Sequence, residues 1–332
     1  PGGDLPAVPG KEVQLSLDMD LQLRGLDLFG EESGAAVMMD CRSGDVLTLL
    51  SAPSFDANRF VQGLSGPEYR ALAEYDHKPL FNKALTATYP PGSTFKTLVA
   101  VAALEHGINP SMAVSCPGFW NFGNRRWRCD GVHGRVNMQD AIATSCDTYF
   151  YTISLQLGPD RIAAVARRFG LGQAYDIGIP GQRKGLVPDT EYKKRAFRKD
   201  PVWHPGETPS MGIGQGYTLV NALQQCVMTA RIANGRKALS PRLIRSIGGV
   251  PTPEGSAAPD LEVDPGHLAF VREAMASVTT RGTAARTGQI GLGDIRMAGK
   301  TGTAQGYNYN GGRGIRGTNG PWRLRDHAWF VG

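Results

Sequence analysis

The chain has 332 residues, of which 41% are hydrophobic and 20% are charged, and its formal net charge is +6 at pH 7. This is ordinary globular composition, with length for one large domain or two subdomains that share a core. The positive charge allows attraction to acidic surfaces such as anionic lipid or cell-wall polymer. It does not indicate nucleic-acid binding, because the basic residues form no helix-long stripe and no recognition motif.

The two ends of the chain are typical of a fragment. No apolar run approaches the length needed to cross a bilayer, and no secretory signal stands at Pro1. Residues 1–6 are typical of a linker, and residues 327–332 indicate a strand that is entered and then cut off. We therefore expect any membrane anchor to lie outside this chain.

The first elements along the chain predict a β-hairpin. Residues 13–17 alternate, and residues 18–26 predict a short helix. Residues 34–40 and 45–52 then follow strand patterns, with a tight Cys-Arg-Ser-Gly turn between them. The early part of the chain therefore predicts an antiparallel pair of strands.

Helical patterns dominate the middle of the chain, from about Gly66 to Gly235. The final part predicts one helix at residues 268–279, a strand at residues 295–298 that leads to Lys300, and a further strand around Trp329. Early and late strands with helices between them predict an α+β domain with a helical insertion. The basic run at residues 193–199 is most simply a solvated loop face, with substrate binding as the alternative.

Three short motifs, far apart in the chain, carry residues suited to acyl transfer. Taken alone, each is weak, because a serine is often a helix N-cap and Lys-Thr-Gly is often a strand followed by a turn. Order and context strengthen the set, since Tyr-Pro-Pro-Gly precedes the first motif as a rigid helix entry and an apolar run follows it. The motifs are Ser93-Thr94-Phe95-Lys96, Ser145-Cys146-Asp147 and Lys300-Thr301-Gly302.

Ser93 and Lys96 suit a nucleophile and its base. Residues three apart on a helix lie on the same face, so the two side chains are expected to be neighbours. A hydroxyl needs a nearby base, and a lysine can be that base only if its pKa is lowered. Burial, the positive end of the helix and a second cation such as Lys300 all act in that direction. We hypothesise that Lys96 becomes a neutral amine and takes the Ser93 proton.

The other motif residues suit proton relay and substrate binding. Ser145 could pass a proton between the base and the leaving nitrogen, whereas Asp147 could pair with Lys96 and hold it charged, and the sequence leaves this balance open. A cationic third motif suits a substrate carboxylate, which Lys300 and the hydroxyls of Thr301 and Thr303 could bind. Gly302 would let that strand approach the ligand closely. The backbone N–H groups of residues 93 and 303 would form an oxyanion hole.

Four residues have the spacing of a metal site. Cys116, Cys129, His133 and Cys146 follow the pattern C-x12-C-x3-H-x12-C, and three thiolates with one imidazole are typical of structural zinc. The alternatives are a Cys116–Cys129 disulfide and unrelated buried cysteines. Zinc is favoured because Cys146 and His133 would otherwise have no role, and because this Gly/Pro/Trp-rich loop has little core to order it.

Together, these motifs resemble the transpeptidase domain of class B penicillin-binding proteins, in particular the elongation-type penicillin-binding protein 2 branch. The likeness covers nearly the whole chain and includes Asp147, where most relatives of the wider family have Asn. It also includes residues 34–37, 52–56, 89–92, 212–216 and 282–284.

The resemblance implies a penicillin-binding, serine β-lactamase-like fold. That fold has a five-stranded antiparallel sheet flanked by helices, an all-helical subdomain, and an active site between them. Residues 1–33 would be a linker and the start of the domain, and residues 34–332 the transpeptidase domain. Its α/β part would span about 34–65 and 265–332 and its helical part about 66–264, with the last strand and helix missing.

The resemblance also implies an activity and a setting. The reaction would be D-Ala-D-Ala transpeptidation, in which Ser93 attacks the penultimate D-Ala carbonyl, D-Ala leaves, and an amine of a neighbouring stem peptide resolves the acyl-enzyme. β-Lactams would acylate the same serine. The partners would be peptidoglycan stem peptides, the rod-shape elongation glycosyltransferase and other elongation-complex proteins. The location would be the periplasmic side of the bacterial inner membrane.

Zinc ligands around the second motif also occur in penicillin-binding protein 2 of some bacteria. Aspartates can stand at the first two ligand positions in that branch, which makes Asp130 an alternative to Cys129.

Two rival functions share this fold. A β-lactamase needs a carboxylate that activates the deacylating water, and no suitable Glu pattern occurs between Tyr151 and Gly212. A non-enzymatic penicillin sensor is disfavoured by the intact second and third motifs.

Overall fold

The computed structural model describes residues 6–305 and 321–332, so most of the predicted linker, residues 1–5, lies outside the described residues. The α-helices there are α1 (Met19–Phe29), α2 (Asn58–Gln62), α3 (Gly66–Glu74), α4 (Lys96–Glu105), α5 (Met138–Ala143), α6 (Asp147–Leu157), α7 (Pro159–Arg168), α8 (Thr190–Ala196), α9 (Thr208–Gly212), α10 (Ala222–Asn234) and α11 (Pro265–Thr280). The β-strands are β1 (Val13–Leu15), β2 (Gly34–Met39), β3 (Val46–Ala52), β4 (Val114–Cys116), β5 (Phe119–Phe122), β6 (Arg125–Arg128), β7 (Gly134–Val136), β8 (Ile244–Ile247), β9 (Val250–Pro251), β10 (Lys300–Ala304) and β11 (His327–Val331).

The predicted early hairpin is confirmed. Strands β2 and β3 pair in antiparallel fashion with Gly34 opposite Ala52. Burial alternates along β3, so one face of the hairpin packs inward while the other stays partly accessible. Helix α1 lies against this hairpin, and the side chain of Gln22 both donates to and accepts from the backbone of Leu49 at 3.0 Å.

A second hairpin carries the third motif. Strands β10 and β11 pair with Lys300 opposite Val331 and Ala304 opposite His327. The prediction of a strand at residues 295–298 is wrong. The pairing with β11 begins only at Lys300, and Ile295 is 65% exposed. Among the described residues the two hairpins are separate hydrogen-bonded ladders.

The centre of the molecule is helix α4. Its residues from Lys96 to Leu104 are all buried, as expected for a helix that is apolar around nearly its whole circumference. It packs against α6, α7 and α11, so the first turn of α4 is fixed from several sides. No helix of the described residues is both long and apolar enough to cross a bilayer.

The part predicted as all-helical, residues 66–264, needs a correction. It is mainly helical, but it also carries strands β4 to β9, with β4 paired to β7 and β5 paired to β6. Strands of two to four residues are too short to produce a clear alternating pattern. The basic run at 193–199 also differs in part from a solvated face, because Lys193 is buried and contacts Glu207 at 2.7 Å.

Candidate active site

Ser93 lies in a 3-10 turn, Gly92–Phe95, that leads directly into α4. Two buried hydrogen bonds fix this turn. Gln225 donates to the Thr94 hydroxyl at 2.7 Å, and the Thr94 hydroxyl donates to the Pro91 carbonyl oxygen at 2.8 Å. Ser93 itself is partly exposed whereas its neighbours in the turn are buried. The predicted nucleophile is therefore partly accessible, while the turn that carries it is fixed by buried contacts.

The structure brings Lys96 onto the second motif. Its Nζ lies 3.2 Å from Ser145 Oγ, 2.8 Å from the Ser145 carbonyl oxygen and 2.5 Å from Asp147 Oδ1. Lys96 is fully buried and Asp147 nearly so, which makes this a buried ion pair. Ser145 joins α5 to α6 with a left-handed backbone, φ +58°, that turns its hydroxyl and carbonyl toward the lysine. The pairing of Lys96 with Asp147, which the sequence left open, is thus present.

Electrostatics couple this pair to Lys300. Burial lowers the pKa of Lys300 well below its usual range, the positive charge of Lys96 lowers it further, and the carboxylate of Asp147 opposes both effects. Burial raises the pKa of Asp147, against the attraction of Lys96. Two lysines and one carboxylate therefore interact within a single buried site.

Strand β10 lies directly against the nucleophile turn. A Cβ at Gly302 would lie 2.9 Å from the Pro91 carbonyl oxygen, so only glycine fits there. Lys300 is fully buried at the start of the strand and donates to the Thr301 carbonyl oxygen at 3.1 Å, whereas Thr303 is exposed. The alternation of β10 thus places the third-motif threonines on the accessible side of the strand.

Three further residues join these parts and were not predicted as site residues. Gln215 Nε2 donates to the Thr303 carbonyl oxygen at 2.9 Å, and the Thr283 and Thr301 hydroxyls lie 2.6 Å apart. Trp329 Nε1 donates to the carbonyl oxygen of Pro90 at 3.0 Å. The sequence signal for Gln215 and Thr283 was their position in stretches that resemble the family, and Trp329 had no such signal.

The predicted metal ligands form one cluster. One ligand atom from each of Cys116, Cys129, His133 and Cys146 lies within 4.8 Å of the others. The Nδ1 atom of His133 is 3.5 Å from Cys116 Sγ and 3.4 Å from Cys129 Sγ. All five cysteines of the chain are free thiols, so the alternative Cys116–Cys129 disulfide is absent, and the cluster contains Cys129 in place of the alternative Asp130.

The charge state of the cluster favours a cation. Hydrogen bonds from Cys146 and from backbone groups, among them the Asp147 N–H at 3.2 Å, lower the pKa of Cys129. The contact with Cys129 in turn raises the pKa of Cys146. Neighbouring thiols therefore resist joint ionisation unless a metal compensates their charge. Tetrahedral zinc places ligand atoms about 3.8 Å apart, so this donor set fits zinc after small shifts of its ligand atoms.

A serine turn leading into a buried lysine, a Ser-x-Asp loop and a Lys-Thr-Gly strand on an α+β scaffold define the class of penicillin-recognising serine proteins. The chain belongs to the penicillin-binding protein transpeptidase family, since the model of the penicillin binding protein transpeptidase domain matches residues 34–332.

Several known proteins are similar over nearly the whole chain. The peptidoglycan D,D-transpeptidase MrdA of Acinetobacter baumannii is 37% identical over 97% of this chain and 49% of its own length. Pseudomonas aeruginosa PBP2 in complex with WCK 5153 is 36% identical with a TM-score of 0.85, covering 98% of this chain and 71% of that one. PBP2 of Helicobacter pylori in complex with MreC is 31% identical with a TM-score of 0.83, covering 96% and 56%.

These comparisons confirm two predictions, the resemblance to penicillin-binding protein 2 and the fold class. The chain spans about half the length of the curated relatives it matches.

Proposed function

We propose that this chain is the catalytic part of a peptidoglycan D,D-transpeptidase that works through a serine acyl-enzyme and is acylated by β-lactams. The observation that supports it best is the position of Lys96, which begins α4 directly after the serine turn and lies 3.2 Å from Ser145 Oγ and 2.5 Å from Asp147. This arrangement places an amine three residues after the serine, at the start of the next helix, and gives that amine two partners for the proton it handles.

The reaction follows from these positions. Burial raises the pKa of Asp147, so its carboxyl can hold the Lys96 proton and leave Lys96 as a neutral amine. Ser93 Oγ then attacks the penultimate D-Ala carbonyl carbon and its proton passes to Lys96. The oxyanion is held by the backbone N–H groups of Ser93 and Thr303. Ser145 returns the proton to the leaving nitrogen of D-Ala, and the C–N bond breaks. An amine of a second stem peptide then attacks the ester, which forms the crosslink and restores the serine hydroxyl.

The third motif would bind the terminal carboxylate of the stem peptide. Thr301 and Thr303 lie on the accessible side of β10, and Lys300 supplies the positive charge. Because burial lowers the pKa of Lys300, a bound carboxylate would favour the charged form of this lysine. Substrate binding is thus coupled to the protonation of Lys300.

A zinc ion held by Cys116, Cys129, His133 and Cys146 is part of the proposal. Cys146 occupies the N-cap position of helix α6 immediately before Asp147, and Cys129 Sγ accepts a hydrogen bond from the Asp147 N–H. The ion would therefore stabilise the position of the second motif at the start of α6. The proposed acyl transfer itself needs no cofactor.

The proposed setting is outside the cytoplasm, where a peptidoglycan-crosslinking enzyme would meet its substrate. We place the chain on the periplasmic side of the bacterial inner membrane, anchored by a segment outside it, where it would meet peptidoglycan stem peptides. Elongation-complex proteins, including the rod-shape glycosyltransferase, are the proposed partners, in line with the H. pylori PBP2–MreC complex.

Labelling with a fluorescent penicillin tests this function. The chain should form a covalent adduct that persists for hours and is lost in Ser93→Ala, whereas Ser16→Ala, a buried serine outside the site, should still be labelled. A longer form of the protein should crosslink lipid-linked peptidoglycan. An adduct that disappears within seconds would instead assign a β-lactamase, and a stable adduct without crosslinking a sensor.

A further inference from the structure

The β5–β6 hairpin is unusually basic and aromatic. Residues 119–128 read Phe-Trp-Asn-Phe-Gly-Asn-Arg-Arg-Trp-Arg, with three arginines, four aromatic residues and no acidic residue. Directly opposite residues of an antiparallel pair lie on the same face of the ladder. The pairings of Phe119 with Arg128 and of Phe122 with Arg125 therefore divide the hairpin into two distinct faces.

One face is the packed face. Trp120 stacks on Phe122, with ring centroids 5.2 Å apart, and both Trp120 and Trp127 pack against Tyr151 of α6 at 5.5 and 5.4 Å. The Arg125 guanidinium lies 4.2 Å from the Trp127 ring centroid. These contacts fix the hairpin on α6, so the opposite face has a defined orientation.

The opposite face, which we call the arginine face, consists of Phe119, Asn121, Arg126 and Arg128. Arg126 and Arg128 are exposed and stand two residues apart on one strand, roughly 7 Å along it. The Arg126 guanidinium lies 3.8 Å from the Phe119 ring centroid, which restrains it before any ligand binds. Within residues 6–305 and 321–332, neither arginine forms an ion pair.

The arginine face lies beside the catalytic residues. Arg128 directly precedes Cys129, whose Sγ accepts the hydrogen bond from the Asp147 N–H at 3.2 Å. The Tyr151 hydroxyl, one turn after Asp147 on α6, donates to the Arg128 carbonyl oxygen at 3.1 Å. A stem peptide that reacts at Ser93 and continues past the start of α6 would reach this hairpin.

We propose that the arginine face is a binding site for the carboxylates of peptidoglycan stem peptides outside the reacting residues, and this rests on the proposed function. Guanidinium groups match carboxylates in a planar, two-bond geometry, and two of them about one dipeptide repeat apart suit successive carboxylates on a peptide. The position next to the catalytic pair favours the polymeric substrate over an anionic membrane.

The test compares two charge reversals of equal size. Arg126→Glu with Arg128→Glu should weaken binding of the chain to purified peptidoglycan sacculi by roughly tenfold, the value of one charge-assisted contact. Arg195→Glu with Arg198→Glu, exposed residues at the end of α8 and just after it, should leave binding within about twofold. Wild-type binding should fall as salt is raised.

A second double variant separates the effect of the two-bond geometry of arginine from the effect of its charge. Arg126→Lys with Arg128→Lys retains the charge but not the two-bond geometry, so it should bind at an intermediate level. The rate of labelling by fluorescent penicillin, which reacts at Ser93 and carries no stem peptide, should stay within twofold of wild type in every variant and reports correct folding.

Unchanged sacculus binding in the hairpin variant, or an equal loss in the α8 variant, would overturn the inference. Loss of binding to anionic phospholipid vesicles without loss of sacculus binding would assign the face to the membrane instead. A wild-type chain that binds sacculi through the hairpin but takes no penicillin would refute the proposed function and leave the arginine face in place.

Discussion

Gln215 donates a hydrogen bond to the Thr303 carbonyl oxygen at 2.9 Å, although 88 residues separate the two in the chain. One residue earlier, the Gly214 carbonyl oxygen accepts a hydrogen bond from the Gly92 N–H at 2.8 Å. The loop after α9 therefore touches both the nucleophile turn and the third-motif strand. It sets the distance between the two backbone N–H groups that we assign to the oxyanion hole.

The first prediction concerns Gln215→Ala. Loss of this hydrogen bond should slow acylation by fluorescent penicillin roughly fivefold, which corresponds to about 1 kcal/mol for one net hydrogen bond. Gln289→Ala, at an exposed glutamine bonded to Ala285, serves as the matched control and should label normally. Equal rates for the two variants in stopped-flow labelling would show that the loop does not position Thr303.

The second prediction concerns the buried pair of Lys96 and Asp147. Lys96→Met leaves a carboxylate buried without its partner and should lower the free energy of unfolding by about 3–5 kcal/mol. Asp147→Asn should also destabilise the chain, and the double variant should lose clearly less than the sum, because the two residues contact each other. Urea unfolding measures all three, and strictly additive losses would contradict the pair.

The third prediction concerns pH. A lysine is charged below its pKa, and burial lowers the pKa of Lys300 well below its usual range. Acylation by an anionic penicillin should therefore decline as the pH rises through that lowered pKa, because the cation that attracts the carboxylate is lost. Lys300→Gln should be slow at all pH values and lack this decline.

A matched control for the pH profile is Lys83→Gln. Burial lowers the pKa of Lys83 to about 8, but this lysine contacts the Lys78 carbonyl oxygen and lies outside the site. The decline should persist in this variant. If it disappeared there and remained in Lys300→Gln, the assignment to Lys300 would be wrong.

The fourth prediction concerns the metal cluster. Purified protein should contain about one equivalent of zinc, and Cys146→Ser should lose it together with at least 5 °C of thermal stability, corresponding to roughly 2 kcal/mol in a chain of this size. Cys226→Ser is the control, because burial raises the pKa of that thiol to about 12 and it lies outside the cluster. Metal-free protein of unchanged melting temperature would remove zinc from the proposal.

The elements that the sequence predicted well have local patterns. Residues 34–52 contain two strand patterns on either side of a turn, and the helix predicted at 268–279 is part of α11, because patterns within one segment determine such structure. The strand predicted at 295–298 failed for a different reason. A strand exists only where a partner faces it, and β11 offers no partner there. That information lies about thirty residues away in the chain.

In the candidate site, too, the sequence predicted the features that depend on local spacing and missed those that depend on tertiary contacts. The spacing of Ser93 and Lys96 on one turn is readable from the sequence, and so is the four-ligand pattern of the cysteines and histidine. The choice of Asp147 as the partner of Lys96 depends on distances of a few tenths of an ångström, which no spacing encodes. Gln215 was missed because its role exists only through a contact with Thr303.

Ser145 has a left-handed backbone, φ +58°, and therefore stability and activity favour different residues at this position. Glycine adopts that conformation without steric cost, and asparagine tolerates it better than serine does. A randomised library sorted for heat resistance should therefore drift toward these two residues, whereas the same library sorted for antibiotic capture should keep the hydroxyl.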